Sequence, residues 1–423
     1  MNQMFSQSTR LYKKLQKRYS RKINLNLERI TEVLNAFDNP HLKLKNPINI
    51  LGSDGKMSVL TSLKCFIEAD QKKTTAFTSP HLYDLRQRFW LKNKYISLNK
   101  IKKITRIIES KNLPLTLFEL LTCIYIISAN KIKNISYNLI ESGLLFKKDS
   151  TNLWSSPRAQ IVTNINFQHQ DWIRPKTIEE ICRQKVGYLS KKTIIYVAPQ
   201  EPKVLKIIKR ILKKNPSKIV YSSNWKIVKE NNKLFYKDSG SKIPLISSNI
   251  KSAGLISNLG LAIKVALDLG IKKKTILKTI PKIKFEGRVQ YIKKGKLPRL
   301  LHQNENLLID GCHSEKSAVN LYQYLKSIKH PIYGVWGMQK NKLPERFLES
   351  FNKVFTKLIT IPIPEEPNSL KNTTLKKIAE KLGYQTEIAS NIRSALRKIS
   401  NKKNKTIVVF GSLYLIGNVL SKN

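Results

Sequence analysis

The apolar positions fall first into helical spacing and then into short runs. Leu25, Leu27, Ile30, Val33, Leu34 and Phe37 recur at three- and four-residue intervals, which predicts helices across residues 11–37. Asp38-Asn39-Pro40 ends that segment. Residues 47–51 form a short apolar run that predicts a buried strand, and residues 56–69 predict a helix. The glycine-containing loop Gly52-Ser53-Asp54-Gly55-Lys56-Met57-Ser58 joins strand to helix. Further strands are expected at 135–140, 160–165 and 193–198. A second series is expected at 306–309, 332–336, 358–361 and 406–410, with helical segments between. Strands alternating with helices predict βαβ units and a parallel sheet, so the expected class is α/β. The pattern breaks at residues 286–296, around Gly287 and Lys294-Gly295-Lys296, which suggests two domains, 1–287 and 288–423. Residues 228–245 are polar and turn-rich and read as a small peripheral hairpin region.

Composition changes this picture little. With 41% apolar residues the chain has enough surface to bury to offset its ordering entropy. Its charge is extreme: 78 Lys plus Arg against 28 Asp plus Glu, a net +50. Such a value makes nucleic acid the first partner class to weigh. Only 16 of the basic residues are Arg, however, and the lysines are scattered as pairs and triplets without a basic block. Lys, Ile and Asn share A/T-rich codons, so background composition is the simpler reading and no nucleic-acid partner is expected. Cys65, Cys123, Cys182 and Cys312 lie far apart, which disfavours a zinc site or a disulfide framework and suits a reducing cytosol. The first nineteen residues are polar and basic, unlike a signal peptide. The longest apolar stretch, residues 120–129, is about half of the ~20 residues that span a bilayer. A cytoplasmic protein without membrane contact is expected.

Strand, glycine loop and helix form the context in which backbone N–H groups can cradle phosphates. The strict G-x-x-x-x-G-K-[ST] pattern fails, because Ile50 stands at its first glycine and Met57 follows Lys56. The chemistry is still available. Gly52 and Gly55 permit a tight turn, Lys56 would neutralise phosphate charge, and Ser58 could ligate magnesium. Read alone, the loop is weak evidence, and an ordinary tight turn between strand and helix is the simpler reading. Glu141 closes one expected strand and His169 follows another, and ligands gather at such carboxyl ends in doubly wound folds. A capping carboxylate and a structural histidine are the competing readings.

The motifs in order resemble the folylpolyglutamate synthase/dihydrofolate synthase family of the Mur ligase superfamily. The Gly52–Ser58 loop resembles the family's Gly-Thr-Asn-Gly-Lys-Gly-Ser. Thr78-Ser-Pro-His-Leu82 matches T-S-P-H-L, and Leu115-Thr-Leu-Phe-Glu119 resembles L-T-x-F-E. Glu141-Ser-Gly-Leu144 with Asp149-Ser-Thr-Asn152 resembles E-V-G-L-G-G-R-L-D-A-T-N. Gly287-Arg-Val-Gln290, Asp310-Gly-Cys-His313 and Gly411-Ser-Leu-Tyr-Leu415 continue the series to the C-terminus.

The resemblance implies a Mur-ligase-like P-loop domain with a parallel sheet and a smaller Rossmann-like C-terminal domain. It implies a ligase that uses ATP and Mg2+ to join L-glutamate to dihydropteroate or folate through an acyl phosphate, within folate biosynthesis and one-carbon metabolism. A monomer is expected. Residue by residue, Gly52 to Ser58 would hold the triphosphate, with Lys56 catalytic. Ser58, Ser79, Glu141 and His169 would ligate metal, joined by Lys185, which matches a lysine carbamylated in the family. His169 and Lys185 are thereby also counted catalytic. Asn258, Arg288, Asp310 and His313 would meet the nucleotide. Arg88 would hold a substrate carboxylate, and Phe118 would stack on the pterin, with core packing an equal reading.

The chain also departs from the family pattern. Ser53, Asp54 and Met57 replace Thr, Asn and Gly, and Asp54 adds negative charge beside phosphates, which calls for a cation facing it. Leu145 to Lys148 replace Gly-Gly-Arg-Leu, with Lys147 or Lys148 the candidate for the lost charge. Gln168 replaces an Asp. The alternatives are a Mur-type ligase of cell-wall precursors, disfavoured by the short segment before the loop, and a decayed ligase fold that binds polyanions.

Overall fold

A computed structural model describes residues 2–19, 25–168, 170–246 and 250–423. The chain divides into two units, one of Met1–Ser248 with Leu255–Ile283, the other of Asn249–Gly254 with Lys284–Asn423.

The first unit opens with helices α1 (Asn2–Arg18) and α2 (Glu28–Asn35). Ile30, Val33 and Leu34 give α2 its buried face, as the spacing predicts. Asp38 and Asn39 then adopt positive φ, and the chain turns into strand β1 (Pro47–Leu51). Helix α3 (Lys56–Ala69) follows the glycine loop. Next come β2 (Thr74–Phe77), β3 (Phe89–Leu91), α4 (Leu98–Glu109), α5 (Leu117–Asn130) and β4 (Tyr137–Glu141). β5 (Ala159–Val162), α6 (Ile178–Val186), β6 (Ile194–Val197), α7 (Pro202–Leu212) and β7 (Lys218–Tyr221) complete the sheet.

Its strand order is β3-β2-β4-β1-β5-β6-β7, and every neighbouring pair is parallel except β2–β3. After β1 the chain builds one side of the sheet; after β4 it crosses to the other. The order therefore reverses around β1, the position at which doubly wound sheets open a crevice beyond their carboxyl ends. Residues 228–245 do form a peripheral sheet, with one strand more than a hairpin: β8 (Trp225–Glu230), β9 (Lys233–Asp238) and β10 (Lys242–Pro244), all antiparallel. Helices α8 (Ala253–Asp268) and α9 (Lys273–Thr279) close the unit.

The apolar stretch at 120–129 is the buried centre of α5, packed on α2, α4 and the sheet. Among the described residues no helix is long and apolar enough to cross a membrane. The start of α5 explains the L-T-x-F-E segment physically. The Thr116 hydroxyl accepts the Glu119 N–H and the Glu119 carboxylate accepts the Thr116 N–H at 2.7 Å, a reciprocal cap. Arg29 from α2 donates to the same carboxylate at 2.6 Å and 3.2 Å.

The second unit has its own six-stranded sheet, in the order β11 (Gln290–Tyr291), β12 (Glu305–Asp310), β16 (Lys405–Phe410), β13 (Ile332–Trp336), β14 (Lys357–Thr360) and β15 (Thr386–Ile388). Only β11 runs antiparallel to its neighbour. Helices α10 (Glu315–Leu325), α11 (Pro344–Glu349), α12 (Asn372–Lys381), α13 (Ile392–Ile399) and α14 (Leu413–Lys422) cover two apolar faces. The α/β expectation holds for both units.

Candidate active site

The first unit gathers most of the expected residues at the carboxyl ends of β1, β2, β4 and β5. β5 ends at Val162, three residues earlier than expected, because the chain beyond it turns to grip the glycine loop. The Asn164 carbonyl accepts the Ser53 N–H at 2.8 Å, and the Ser53 hydroxyl accepts the Asn166 N–H at 3.1 Å. Gly52 has φ +139°, and a Cβ there would stand 2.1 Å from Thr163 Oγ1. Gly55 has φ +94° and caps α3, and a Cβ there would stand 2.6 Å from Asn258 Oδ1. Only glycine satisfies both conditions at these positions.

Two lysines converge on the loop. Lys56 Nζ donates to the carbonyls of Gly52 at 3.3 Å and Ser53 at 3.2 Å. Lys185 Nζ, from α6, donates to the same Gly52 carbonyl at 2.9 Å and to Leu144 O at 2.6 Å. Lys185 is only 2% exposed. Burial, helped by the neighbouring Lys56 charge, lowers its pKa to about 7, against the pull of Asp149 and Asp54. The Ser58 hydroxyl donates to Gly55 O at 2.9 Å and accepts from Asn258 Nδ2 at 2.8 Å. Asn258 therefore sits on the glycine loop itself. Met57 occupies the first turn of α3.

Glu141 is a buried strand-end residue, one strand from the loop in register with Ile50, which removes the helix-capping alternative. Its carboxylate accepts the Ser79 N–H at 3.1 Å. His169 lies outside the described residues. Among those residues no group of three or more His, Cys, Asp or Glu is placed to hold a metal. The donor set that is present, the Ser58 hydroxyl and the buried Glu141 carboxylate beside Ser79, consists of hard oxygens and fits magnesium.

Among the described residues, two side-chain amides donate to the Asp54 carboxylate. Asn166 Nδ2 donates to its carboxylate at 2.6 Å and Gln168 Nε2 at 3.2 Å. The departures at 54 and 168 are thus one contact. Lys147 is engaged by the Tyr188 ring, 4.8 Å from Nζ.

Sequence reasoning gave Asp149 no role, yet it organises the loop after β4. Its carboxylate accepts the Gly143 and Leu144 N–H groups at 3.0 Å each, and the Thr151 N–H at 3.0 Å. The signal was its fixed place after Glu141. Phe118 is partly buried and packs on Phe77, ring centroids 5.8 Å apart. Arg88 is 6% exposed and donates from Nε to His81 Nδ1 at 2.9 Å. Burial and the Arg88 charge push His81 well below the usual imidazole range.

Arg288, Asp310 and His313 form a cluster of their own in the second unit. Asp310 accepts the Val289 and Cys312 N–H groups, both at 2.8 Å. Burial raises its pKa while Arg288 opposes the rise. His313 Nδ1 lies 2.9 Å from Gly311 O.

A family model described as dihydrofolate synthetase, C-terminal domain, matches residues 293–422. The dihydrofolate synthetase of Saccharomyces cerevisiae is 25% identical, over 94% of this chain and 97% of its own length. The chain is thus similar to dihydrofolate synthases and folylpolyglutamate synthases over nearly its whole length. The fold agrees. An Escherichia coli FolC structure in complex with DHPP and ADP superposes with a TM-score of 0.82 at 21% identity, covering 97% of this chain and 96% of that one. A bifunctional folylpolyglutamate synthase/dihydrofolate synthase with Mn, AMPPNP and L-glutamate bound gives 0.81 at 20% identity, with 94% of each chain covered.

Proposed function

We propose that this protein is an ATP-dependent ligase that joins L-glutamate to dihydropteroate or to folates. One observation carries the reading most directly. A glycine loop at the sheet's reversal point presents Lys56 and Ser58 one strand away from the buried Glu141 carboxylate. Similarity to the dihydrofolate synthetase of Saccharomyces cerevisiae and the ligands of the two superposed proteins, a nucleotide in each, with a metal and glutamate in one, support the same chemistry.

A carboxylate is a poor electrophile, so ATP is needed to convert it into an acyl phosphate that the glutamate amine attacks with loss of phosphate. Charge builds on the transferring phosphoryl group, which the Lys56 ammonium would offset. A divalent metal, when bound, supplies further charge neutralisation there. Ser58, Glu141, Ser79 and His169 are the proposed residues to hold it. Asn258, Arg288, Asp310 and His313 are the proposed further nucleotide contacts.

Lys185 is proposed to act as a carbamate. An amine with its pKa near 7 is substantially neutral at working pH, as reaction with CO2 requires. A carbamate nitrogen keeps one N–H, enough for one of its two carbonyl partners. Intact-protein mass spectrometry in bicarbonate would show a CO2 adduct absent from Lys185→Met; an adduct that survives the substitution removes the assignment.

The decisive assay is ADP release by purified protein with glutamate and either dihydropteroate or tetrahydrofolate. Turnover with one or both is expected. No acceptor-dependent ADP release with either would overturn the proposal.

A further inference from the structure

Among the described residues, Arg88 is a buried cation without an anion. Its backbone carbonyl accepts the Thr78 N–H at 3.0 Å, which fixes it beside the Thr78–Leu82 segment. The carboxylate closest before it in sequence, Asp84, is engaged by Arg86 and by the Ser8 hydroxyl. Among the described residues the Arg88 side chain has one hydrogen-bond partner and one ring partner. Nε donates to His81 Nδ1, and the Tyr12 ring of α1 lies 5.8 Å from Cζ. Tyr12 and His81 touch each other edge to face at 4.5 Å between ring centroids. Burying a guanidinium without a carboxylate is costly unless a ligand supplies the missing charge.

The three side chains form a chain of contacts. His81 accepts at Nδ1, so in this arrangement it is the neutral tautomer with its proton on Nε2. It uses the one donor, Nε, that does not belong to the guanidinium's terminal pair. The four N–H groups of that pair remain for a planar anion, the geometry in which Arg grips a carboxylate with two hydrogen bonds. Tyr12 braces both the imidazole and the guanidinium. Resting on the ligase reading above, we propose that Tyr12 and His81 are positioning residues that aim Arg88 at a carboxylate of the acceptor substrate. The N-terminal helix would thereby contribute to acceptor recognition.

The test is steady-state kinetics on Tyr12→Ala, Tyr12→Phe, His81→Ala, His81→Asn and Arg88→Lys, with KM measured separately for acceptor, ATP and glutamate. Arg88→Lys, Tyr12→Ala and His81→Ala should each raise the acceptor KM about tenfold or more, with ATP and glutamate KM within about twofold of the parent. Tyr12→Phe keeps the ring and should behave as the parent. In His81→Asn the amide oxygen can accept from Nε, so much of the loss should be recovered. A merely structural role would lower thermal stability and kcat without separating the three KM values. An unchanged acceptor KM in Tyr12→Ala and His81→Ala overturns the inference. If Arg88→Lys still raises that KM, the ligase reading and the role of Arg88 survive. If the parent protein shows no acceptor-dependent turnover, the ligase reading itself has failed.

Discussion

Among the described residues each unit buries one lysine almost completely, and the two are satisfied differently. Lys405 in the second unit is 1% exposed and lies 3.3 Å from the equally buried Glu305 carboxylate. It also donates to Ile399 O at 3.0 Å and to the Asn401 side chain. Glu305 is tied further to Ser400 and to the Asn401 N–H. Lys185 in the first unit is as deeply buried, but its direct partners are two backbone carbonyls and its neighbour is another cation. The first arrangement completes a structure. The second leaves an amine whose charge is poorly supported, beside the glycine loop, and poorly supported charge is what functional sites accumulate.

The sharpest way to separate the two is to remove each charge. Lys405→Met leaves Glu305 buried and unpaired, so it should cost about 3–5 kcal/mol of stability, read as a lowered denaturation midpoint. Activity per folded molecule should be unchanged. Lys56→Ala reverses that pattern. The fold should survive, since Lys56 makes only loop contacts, while kcat should fall about 10²–10³-fold. Normal turnover in Lys56→Ala would remove the phosphate-loop assignment.

Lys185→Met should show a third behaviour. In CO2-free, metal-free buffer the folded chain holds Lys185 at a pKa of about 7, against 10.5 when unfolded. Between those values the unfolded chain binds more protons, so the parent gains stability from this group as pH rises. The penalty is greatest below pH 7 and gone above about 10.5. Lys185→Met should therefore be more stable than the parent by about 1–4 kcal/mol at pH 6, with the advantage shrinking toward pH 10. Its ligase activity should be strongly reduced. Denaturant titrations at three pH values check the sign.

Much of this was legible in the sequence, and the parts that were not have physical causes. β1 and β13 stand out as short, largely apolar runs, and α3 as the helix that follows the glycine loop. β2 was missed because Thr-Thr-Ala-Phe looks polar. Its hydroxyls are satisfied internally, Thr75 by Tyr125 at 2.8 Å and by Asn138 at 2.6 Å. The loop lysines were legible as residues, but their shared carbonyl at Gly52 was not, since 133 positions separate Gly52 from Lys185. The Asp54–Gln168 contact appeared only as two unrelated departures. Motif likeness marked where the site lies, whereas the reason each residue is tolerated there needed the tertiary partners.

Asp54 offers the finest test of why the two lysines differ. It raises the Lys185 pKa electrostatically, though it makes its own hydrogen bonds to Asn166 and Gln168. Lys405 has its carboxylate in contact; Lys185 has only such indirect support. Asp54→Asn removes the negative charge and keeps an oxygen for one of the two amides. The folded-state pKa of Lys185 should then fall below 7 by less than about one unit, a differential of under ~1.4 kcal/mol. The lower edge of the pH window in which Lys185→Met loses its stability advantage should move to more acidic pH by the same amount. The comparison is therefore a cycle, with Lys185 and its Lys185→Met variant each measured with and without the Asp54→Asn substitution. An edge that stays in place means that Asp54 is screened from Lys185, and the opposition to burial and Lys56 then comes from Asp149 rather than from Asp54. An edge that moves assigns the charge at 54 a share in setting how much neutral amine the site holds.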